Sequence, residues 1–312
     1  MAVVFHIQHG PLDSVSGWYD LSLVTIATGV SCTACLIREG RAQRALARVR
    51  SVAEVAQRAL LPPMPHRLGP VRLAIRYQPA AADACIGGDF YAAIPTPYGV
   101  RVIVGDARGK GLEAVELAAT VLGTFRATTH DEPTLRSLAR RLDSALERVR
   151  GELSDAGCPE PHEEFVTAVL LEINDDGTLE ILNCGHEPPI LLSASGPKLL
   201  DSEEPNLPLG QLTLAAGHLT THNVPATYWH TLLLHTDGVT EARNRHGIFY
   251  PLIDRIPTCM RDNVDDTVGR LHDDLLHHAD KHLSDDAVLL AIQREHDDSK
   301  TQAPIATTGK AA

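Results

Sequence analysis

The chain has 312 residues and 44% of them are hydrophobic, so it can build one large core or two smaller ones. Its formal net charge of −12 at pH 7 argues against nucleic acid as the main partner, because phosphate contacts need clustered Lys and Arg. The 6 cysteines are scattered and the first residues lack the basic region of a signal peptide, which indicates reduced thiols in the cytoplasm.

The segment 21–37 carries no charged side chain and reaches the short limit of a bilayer span, which needs about 17–25 apolar residues. Arginines follow it closely, whereas the charged residues before it are Asp13 and Asp20. This asymmetry would put the C-terminal side in the cytoplasm. The segment 1–37 therefore predicts a membrane span or stub that tethers a cytoplasmic catalytic domain. A buried core helix or a pair of strands is the alternative.

Residues 38–63 predict a linker helix that ends at Pro62 and Pro63. Between residues 41 and 61, small and apolar side chains recur at alternating spacings of four and three, namely Ala42, Leu46, Val49, Ala53, Ala56 and Leu60. A repeat of this kind is typical of paired helices, so the segment predicts a homodimer. The same stripe would also fit a helix that packs on its own domain.

Residues 64–294 predict one catalytic domain, and the polar segment 295–312 predicts a disordered tail. Apolar or alternating runs predict strands at 71–77, 100–105, 165–173, 179–183, 189–192, 232–235 and 287–293. Helical periodicity predicts helices at 112–127, 134–152 and 264–282. Many strands follow one another in pairs joined by turn residues. This order favours antiparallel sheets with helices packed outside.

Four short segments, 87–91, 104–109, 235–239 and 283–287, each predict an apolar strand that closes by delivering an aspartate into a turn, which bears a glycine in three of them. The aspartates are Asp89, Asp106, Asp237, Asp285 and Asp286. We expect strand ends to hold these carboxylates rigidly, and the glycines to let a ligand approach the backbone. Gathered carboxylates repel one another unless a cation lies between them, and oxygen ligands suit Mg²⁺ or Mn²⁺. An ordinary turn would explain any one segment alone.

These segments and several others occur in the order found in the SpoIIE-like, PPM-type protein serine/threonine phosphatases. The chain resembles this family, and in particular its actinobacterial branch, over roughly residues 45–294. The motifs that carry the resemblance are Gly87-Gly88-Asp89-Phe90-Tyr91, Gly105-Asp106, Gly109-Lys110-Gly111, Phe165-Val166-Thr167-Ala168, Asn183-Cys184-Gly185-His186-Glu187-Pro188, Leu207-Pro208-Leu209-Gly210, Thr236-Asp237-Gly238 and Asp285-Asp286.

The resemblance implies an α+β fold of two stacked antiparallel sheets flanked by helices, with two Mn²⁺ or Mg²⁺ ions. Asp106 would bridge the ions with help from the Ala107 carbonyl, and Asp89 would hold one of them. Asp237 and either Asp285 or Asp286 would hold the other, and Asp285 is favoured because it comes first in the family's pair. A hydroxide activated by both metals would attack the phosphorus of phosphoserine or phosphothreonine without a covalent enzyme intermediate.

The resemblance also implies a partner, a phosphorylated anti-sigma-factor antagonist. The chain departs from the family at Ala92, where many relatives carry an acidic residue, so one outer metal ligand would be lost. Arg108 and Lys110 lie beside the second motif, where they would either bind phosphate or remain solvated. His186 would be either a general acid or part of a structural turn.

Two other functions fit the same residues. One is a catalytically weak regulator that binds a phosphoprotein without cleaving it, and the substitution at Ala92 would favour this function. The other is a metal-dependent hydrolase for small phosphoesters, because a fold alone does not fix a substrate.

Overall fold

The structure is a computed structural model. It describes residues 25, 27–41, 60–61, 63–80, 88–109, 111–155, 165–193, 195–202, 204–215 and 218–295. The chain divides into two compact units, Met1–Val52 and Ala53–Ala312. In the first unit, residues 27–41 form helix α1. Within the part of the chain that is described, no helix has the length and apolar character that a membrane crossing requires.

Several predictions for the termini and the linker fall outside the described residues. They concern most of the homodimer seam at 41–61, the start of the apolar segment 21–37 and the tail from residue 296 onward. The predicted domain boundaries at residues 37, 63 and 294 stay predictions.

The second unit contains runs of consecutive strands separated by groups of helices. Its strands are β1 Arg67–Leu68, β2 Val71–Gln78, β3 Asp89–Thr96, β4 Gly99–Ala107, β5 Val166–Ile173, β6 Leu179–Cys184, β7 Ile190–Leu192, β8 Lys198–Leu199, β9 His222–Val224, β10 Thr231–His235 and β11 Ala287–Arg294. Its helices are α2 Leu112–Thr128, α3 Leu135–Asp155, α4 Asp237–Thr240, α5 Leu252–Cys259 and α6 Val264–His278.

The strands form two sheets. The 6-stranded sheet has the order β1-β2-β11-β10-β7-β8, and the 5-stranded sheet has the order β3-β4-β5-β6-β9. Neighbouring strands in both sheets run antiparallel. The predicted α+β class with antiparallel sheets is therefore confirmed.

Three apolar cores hold the layers together. The core between the sheets includes Val104 and Val169 from one sheet and Leu234 and Val288 from the other. A second core lies between the 5-stranded sheet and helices α2 and α3, and a third lies between the 6-stranded sheet and helices α5 and α6. Each large apolar side chain buried here contributes about 1.5–3 kcal/mol. The result is a four-layer sandwich with the sheets inside and the helices outside.

The apolar patterns in the sequence explain most of these elements. On α3 the buried side chains recur every three or four residues, at Leu135, Leu138, Leu142 and Leu146, so one face packs on the sheet. The predicted end of the last helix at residue 282 is wrong, because α6 ends at His278. Asp280 and Lys281 follow with φ of 49° and 64°, a left-handed conformation that cannot continue a right-handed helix.

Candidate metal centre

Asp89 and Asp106 are direct partners across the β3–β4 ladder. Side chains alternate along a strand, so Asp89 shares a face with Tyr91, and Asp106 shares a face with Val104. Tyr91 and Val104 both belong to the core between the sheets. The two carboxylates therefore face the 6-stranded sheet, at the end of the sandwich where β3 begins and β4 ends.

Asp237 lies just beyond the end of β10, a strand of the opposite sheet. It is the first residue of α4, which follows directly after β10 and Thr236. Asp89, Asp106 and Asp237 each present one carboxylate oxygen such that these oxygens lie within 4.8 Å of one another. Asp89 is buried, and the other two are half-buried. Residues from three elements thus meet at one point.

Asp285 and Asp286 lie in the turn that leads into β11. Asp286 is 2% exposed, and both of its carboxylate oxygens accept hydrogen bonds from the protein. The Tyr77 hydroxyl donates to Oδ2 at 2.7 Å, and the Ala80 N–H donates to Oδ1 at 2.8 Å. Asp285 is half-buried, and its Oδ1 accepts the Asp286 N–H at 2.9 Å.

The site concentrates negative charge in a partly desolvated place. Burial, then repulsion from Asp106, raises the pKa of Asp89 well above its usual range. Burial, then repulsion from Asp237, Asp285 and Asp286, raises the pKa of Asp106 to about 8. Burial, then repulsion from Glu241, raises the pKa of Asp237. A cation between these carboxylates would relieve the repulsion.

The donor set fits a hard divalent cation. The gathered atoms are all carboxylate oxygens, which suit Mg²⁺ or Mn²⁺ and not the softer metals that prefer Cys and His. Their separation is short enough for a shared ion, because metal–oxygen bonds of about 2.0–2.6 Å allow ligand atoms to lie up to roughly 5 Å apart.

The glycines next to these aspartates permit close contact within the protein itself. A Cβ atom added at Gly238 would lie 1.8 Å from the Asp286 carbonyl oxygen, and one added at Gly88 would lie 2.4 Å from the Ala107 carbonyl oxygen. At both positions the missing Cβ makes room for the protein's own backbone. The two glycines bring Asp237 close to Asp286, and Asp89 close to Ala107.

The expectation that every aspartate closes a strand is also wrong. Asp89 opens β3, and Asp285 and Asp286 come just before β11. The residues still meet because neighbouring strands run antiparallel, so the start of one strand lies beside the end of the next. Sequence reasoning missed β3 because its Gly87-Gly88-Asp89 start has the composition of a turn.

Thr236 belongs to the motif Thr236-Asp237-Gly238, but sequence reasoning gave it no role in the site. Its side chain is fully buried. The hydroxyl donates to Asp89 Oδ2 at 2.6 Å and accepts the Val288 N–H at 3.0 Å. Its place directly before Asp237 was the signal in the sequence that could have pointed to the site. Its partner Asp89 could not be foreseen, because it lies 147 residues away along the chain.

Arg108, one of the two predicted phosphate contacts, directly follows β4. Arg108 is exposed, and its guanidinium carbon lies 5.0 Å from the centre of the Phe165 ring. Lys110 lies outside the described residues. Ala92 packs in the core below α2, on the face of β3 opposite to Asp89. A side chain at residue 92 would point away from Asp89, so the inferred loss of an outer ligand does not follow.

His186 has the environment of a structural residue. It is 8% exposed, and its Nδ1 lies 3.1 Å from the Thr167 hydroxyl. Asn183 Oδ1 accepts the His186 N–H, and Asn183 Nδ2 donates to the His186 carbonyl. The Asn183 side chain therefore fixes the turn. Burial, then repulsion from His235, lowers the pKa of His186 to about 3. The imidazole is therefore neutral at pH 7, which does not suit a cationic proton donor.

The segment Leu207–Gly210, another of the motifs, also belongs to the scaffold. The Asp143 carboxylate accepts the Gly210 N–H at 2.6 Å and the Leu212 N–H at 3.2 Å. Val166 and Leu209 exchange backbone hydrogen bonds at 3.0 Å and 2.9 Å. These contacts fix the segment against α3 and against the start of β5. In β5 the next residue, Thr167, pairs with Asp106.

The family model described as Stage II sporulation protein E (SpoIIE) matches residues 96–295, which is more than half of the chain. The matched part includes Asp106, Asp237, Asp285 and Asp286, and Asp89 lies just before it.

Solved structures of low sequence identity share the fold. The SiaA-PP2C domain of Pseudomonas aeruginosa has a TM-score of 0.62 and 18% identity, over 82% of this chain and 99% of that chain. The RsbU and RsbW domains of Rv1364c from Mycobacterium tuberculosis give a TM-score of 0.57 and 22% identity, over 72% of this chain and 60% of that chain.

The PP2C phosphatase domain with a regulatory fragment of SpoIIE from Bacillus subtilis gives a TM-score of 0.57 and 13% identity, over 73% of this chain and 64% of that chain. The match thus spans less than two thirds of the Rv1364c chain and of the Bacillus subtilis SpoIIE chain. The family match shows that the chain belongs to the SpoIIE family, and the solved PP2C-type structures share its fold.

Proposed function

We propose that the protein hydrolyses phosphoserine or phosphothreonine on a partner protein with the help of Mn²⁺ or Mg²⁺. The observation that carries this proposal is the meeting of Asp89, Asp106 and Asp237, whose carboxylate oxygens lie within 4.8 Å of one another. Membership of the SpoIIE family supports the same reaction.

Asp89, Asp106, Asp237 and one residue of the last pair would hold the cations. Asp285 is the favoured residue of that pair, because both oxygens of Asp286 already accept hydrogen bonds from Tyr77 and Ala80. Bound divalent cations supply positive charge towards the phosphoryl oxygens and lower the pKa of water.

Residues of the chain would position the metal ligands and the phosphate of the substrate. Asp106 is paired on both sides, with Asp89 of β3 and with Thr167 of β5, so its backbone is held between two neighbouring strands. The Ala107 carbonyl faces Gly88, beside Asp89, where it would assist as a further oxygen ligand. Arg108 and Lys110 follow directly in the chain and would contact the phosphate of the substrate.

The proposed substrate is a phosphorylated anti-sigma-factor antagonist, and the family resemblance supports this class. Membrane contact through 21–37 and a homodimer through 41–61 rest on the sequence patterns alone. A small-molecule phosphoester hydrolase and a regulator that binds phosphoprotein without cleaving it remain the competing functions.

Phosphate release tests the proposal and separates the three functions. The wild-type chain would be assayed with a phosphoserine protein of the antagonist class and with p-nitrophenyl phosphate, each with Mn²⁺, Mg²⁺ or EDTA. We expect cleavage of both substrates with metal, a much higher kcat/KM for the protein, and no cleavage in EDTA. Cleavage of the small ester alone would favour the small-molecule hydrolase. Tight binding of the phosphoprotein without cleavage would favour the regulator.

A further inference from the structure

We infer that Thr236 is a positioning residue that fixes the Asp89 carboxylate for cation binding, an inference that rests on the proposed metal centre. Its fully buried hydroxyl lies between Asp89 Oδ2, at 2.6 Å, and the Val288 N–H, at 3.0 Å. Asp89 belongs to the 5-stranded sheet, whereas Val288 lies in β11 of the other sheet and Thr236 directly follows β10 of that sheet. The hydroxyl therefore links the two sheets at the metal centre.

The direction of this link is fixed by its donors. The Val288 N–H can only donate, so the Thr236 oxygen accepts from it, and the single hydroxyl proton is left for Asp89. Asp89 Oδ2 is consequently held as an acceptor, which restricts rotation of the carboxylate. The carboxylate is thus presented to a cation in one fixed orientation.

A simpler role for this threonine does not fit its contacts. Thr236 is the N-cap residue of α4, a position where a threonine hydroxyl usually accepts a hydrogen bond from an amide of its own helix. Here the side chain makes no such cap bond. The hydroxyl serves Asp89 and β11 instead, so its bonds cross between elements of the site.

The nearest comparison is Thr231, the first residue of β10, which is the strand that Thr236 directly follows. It is also buried, at 8% exposure, but its hydroxyl lies 3.0 Å from His230 Nδ1. Loss of either hydroxyl would disturb a buried hydrogen bond. Only the loss at residue 236 would release Asp89, so Thr231→Val is a matched control for the effect of a buried hydroxyl.

The test is calorimetric titration of Mn²⁺ into the full chain after removal of metal with EDTA. The variants are Thr236→Val, which keeps the shape, and the pair Thr236→Ser and Thr236→Ala, which differ from each other only in the hydroxyl. We expect the Val and Ala variants to bind Mn²⁺ about 10-fold more weakly or worse, as found when an outer hydrogen-bond partner of a ligand is lost. The Ser variant should stay within about 3-fold of wild type, and Thr231→Val should match wild type.

Wild-type Mn²⁺ affinity in Thr236→Val, or a Ser variant as weak as the Ala variant, would overturn the inference. If the Val variant does not fold, the Mn²⁺ affinities of the Ser and Ala variants decide whether the inference holds. A wild-type chain that binds no Mn²⁺ would overturn both this inference and the metal centre. A wild-type chain that binds Mn²⁺ but cleaves no phosphoester would reject the proposed function, and the titrations of the variants would still decide the role of Thr236.

Discussion

The carboxylates of Asp89 and Asp106 face each other across two neighbouring antiparallel strands, as direct partners in the β3–β4 register. Like charges in this arrangement destabilise a sheet. The protein adds Asp237, which lies just beyond β10 of the other sheet, to the same place. Such a concentration of charge costs stability in the metal-free protein, and this cost leads to the first prediction.

Asp106→Asn should raise the melting temperature of the metal-free protein at pH 7–8. Burial and repulsion raise the pKa of Asp106 to about 8 in the folded state, above its value near 3.9 in the unfolded chain. A raised folded pKa gives stability that is present below pH 3.9 and is lost as the pH rises through about 8. Asparagine does not ionise, so the variant does not lose this stability. The difference between its melting temperature and that of wild type should therefore grow from pH 5 to pH 8.

Melting curves recorded in EDTA across this pH range provide the measurement. Each kcal/mol gained should raise the melting temperature by roughly 2–4 °C in a domain of this size. Asp175→Asn, in an exposed turn, is the control for the loss of one negative charge. An advantage of Asp106→Asn that does not change with pH would contradict the prediction.

Asp285→Asn should weaken Mn²⁺ binding by about 10-fold or more, and Asp286→Asn should weaken it less. Both oxygens of Asp286 accept hydrogen bonds, from Tyr77 and from the Ala80 N–H, so this carboxylate is committed to the protein. Calorimetric titration of the two variants side by side gives the comparison. The opposite ranking would make Asp286 the ligand.

Gly238→Ala should destabilise the fold by about 1–3 kcal/mol or more, because overpacked sites force the backbone to move. The added Cβ would lie 1.8 Å from the Asp286 carbonyl oxygen, so β11 or α4 must shift. Gly123→Ala is the matched control, since nothing lies within 4 Å of a Cβ at that exposed helical position. It should stabilise α2 by about 0.5–1 kcal/mol. Equal urea midpoints for the two variants would refute the close approach at Gly238.

The seam of the predicted linker helix should support a weak homodimer. It is rich in alanine, so little apolar area would be buried per turn. Sedimentation of the full chain over a range of concentrations should show a reversible dimer that the double variant Leu46→Lys/Val49→Lys abolishes. A parent that stays monomeric at every concentration, with a variant that differs only in stability, would mean that the helix packs on its own domain.

Local patterns in the sequence were enough to predict most of the sandwich. Alternation in the run 71–77 predicted β2, and the amphipathic repeat in 134–152 predicted α3, because a buried face repeats with the period of its element. The short helices α4 and α5 were not predicted, since four to eight residues carry too little periodicity.

The strand-and-aspartate pattern and the family resemblance identified these aspartates and predicted that they share metal ions, but the strand that begins at Asp89 was not predicted. That β3 starts at Asp89 follows from its ladder with β4, and a Gly-Gly-Asp sequence alone is typical of a turn. The role of Thr236 depends on a contact between residues 147 positions apart, which no local pattern encodes. Long-range contacts therefore decide which of the predicted residues act together.

The most direct test of the metal centre is anomalous diffraction from crystals of the protein grown with Mn²⁺. We expect an anomalous peak at bonding distance, about 2.0–2.6 Å, from carboxylate oxygens of Asp106 and at least one of Asp89 and Asp237. The peak should disappear in crystals of Asp106→Asn grown under the same conditions. Well-ordered wild-type crystals with no anomalous density among these three carboxylates would contradict the account.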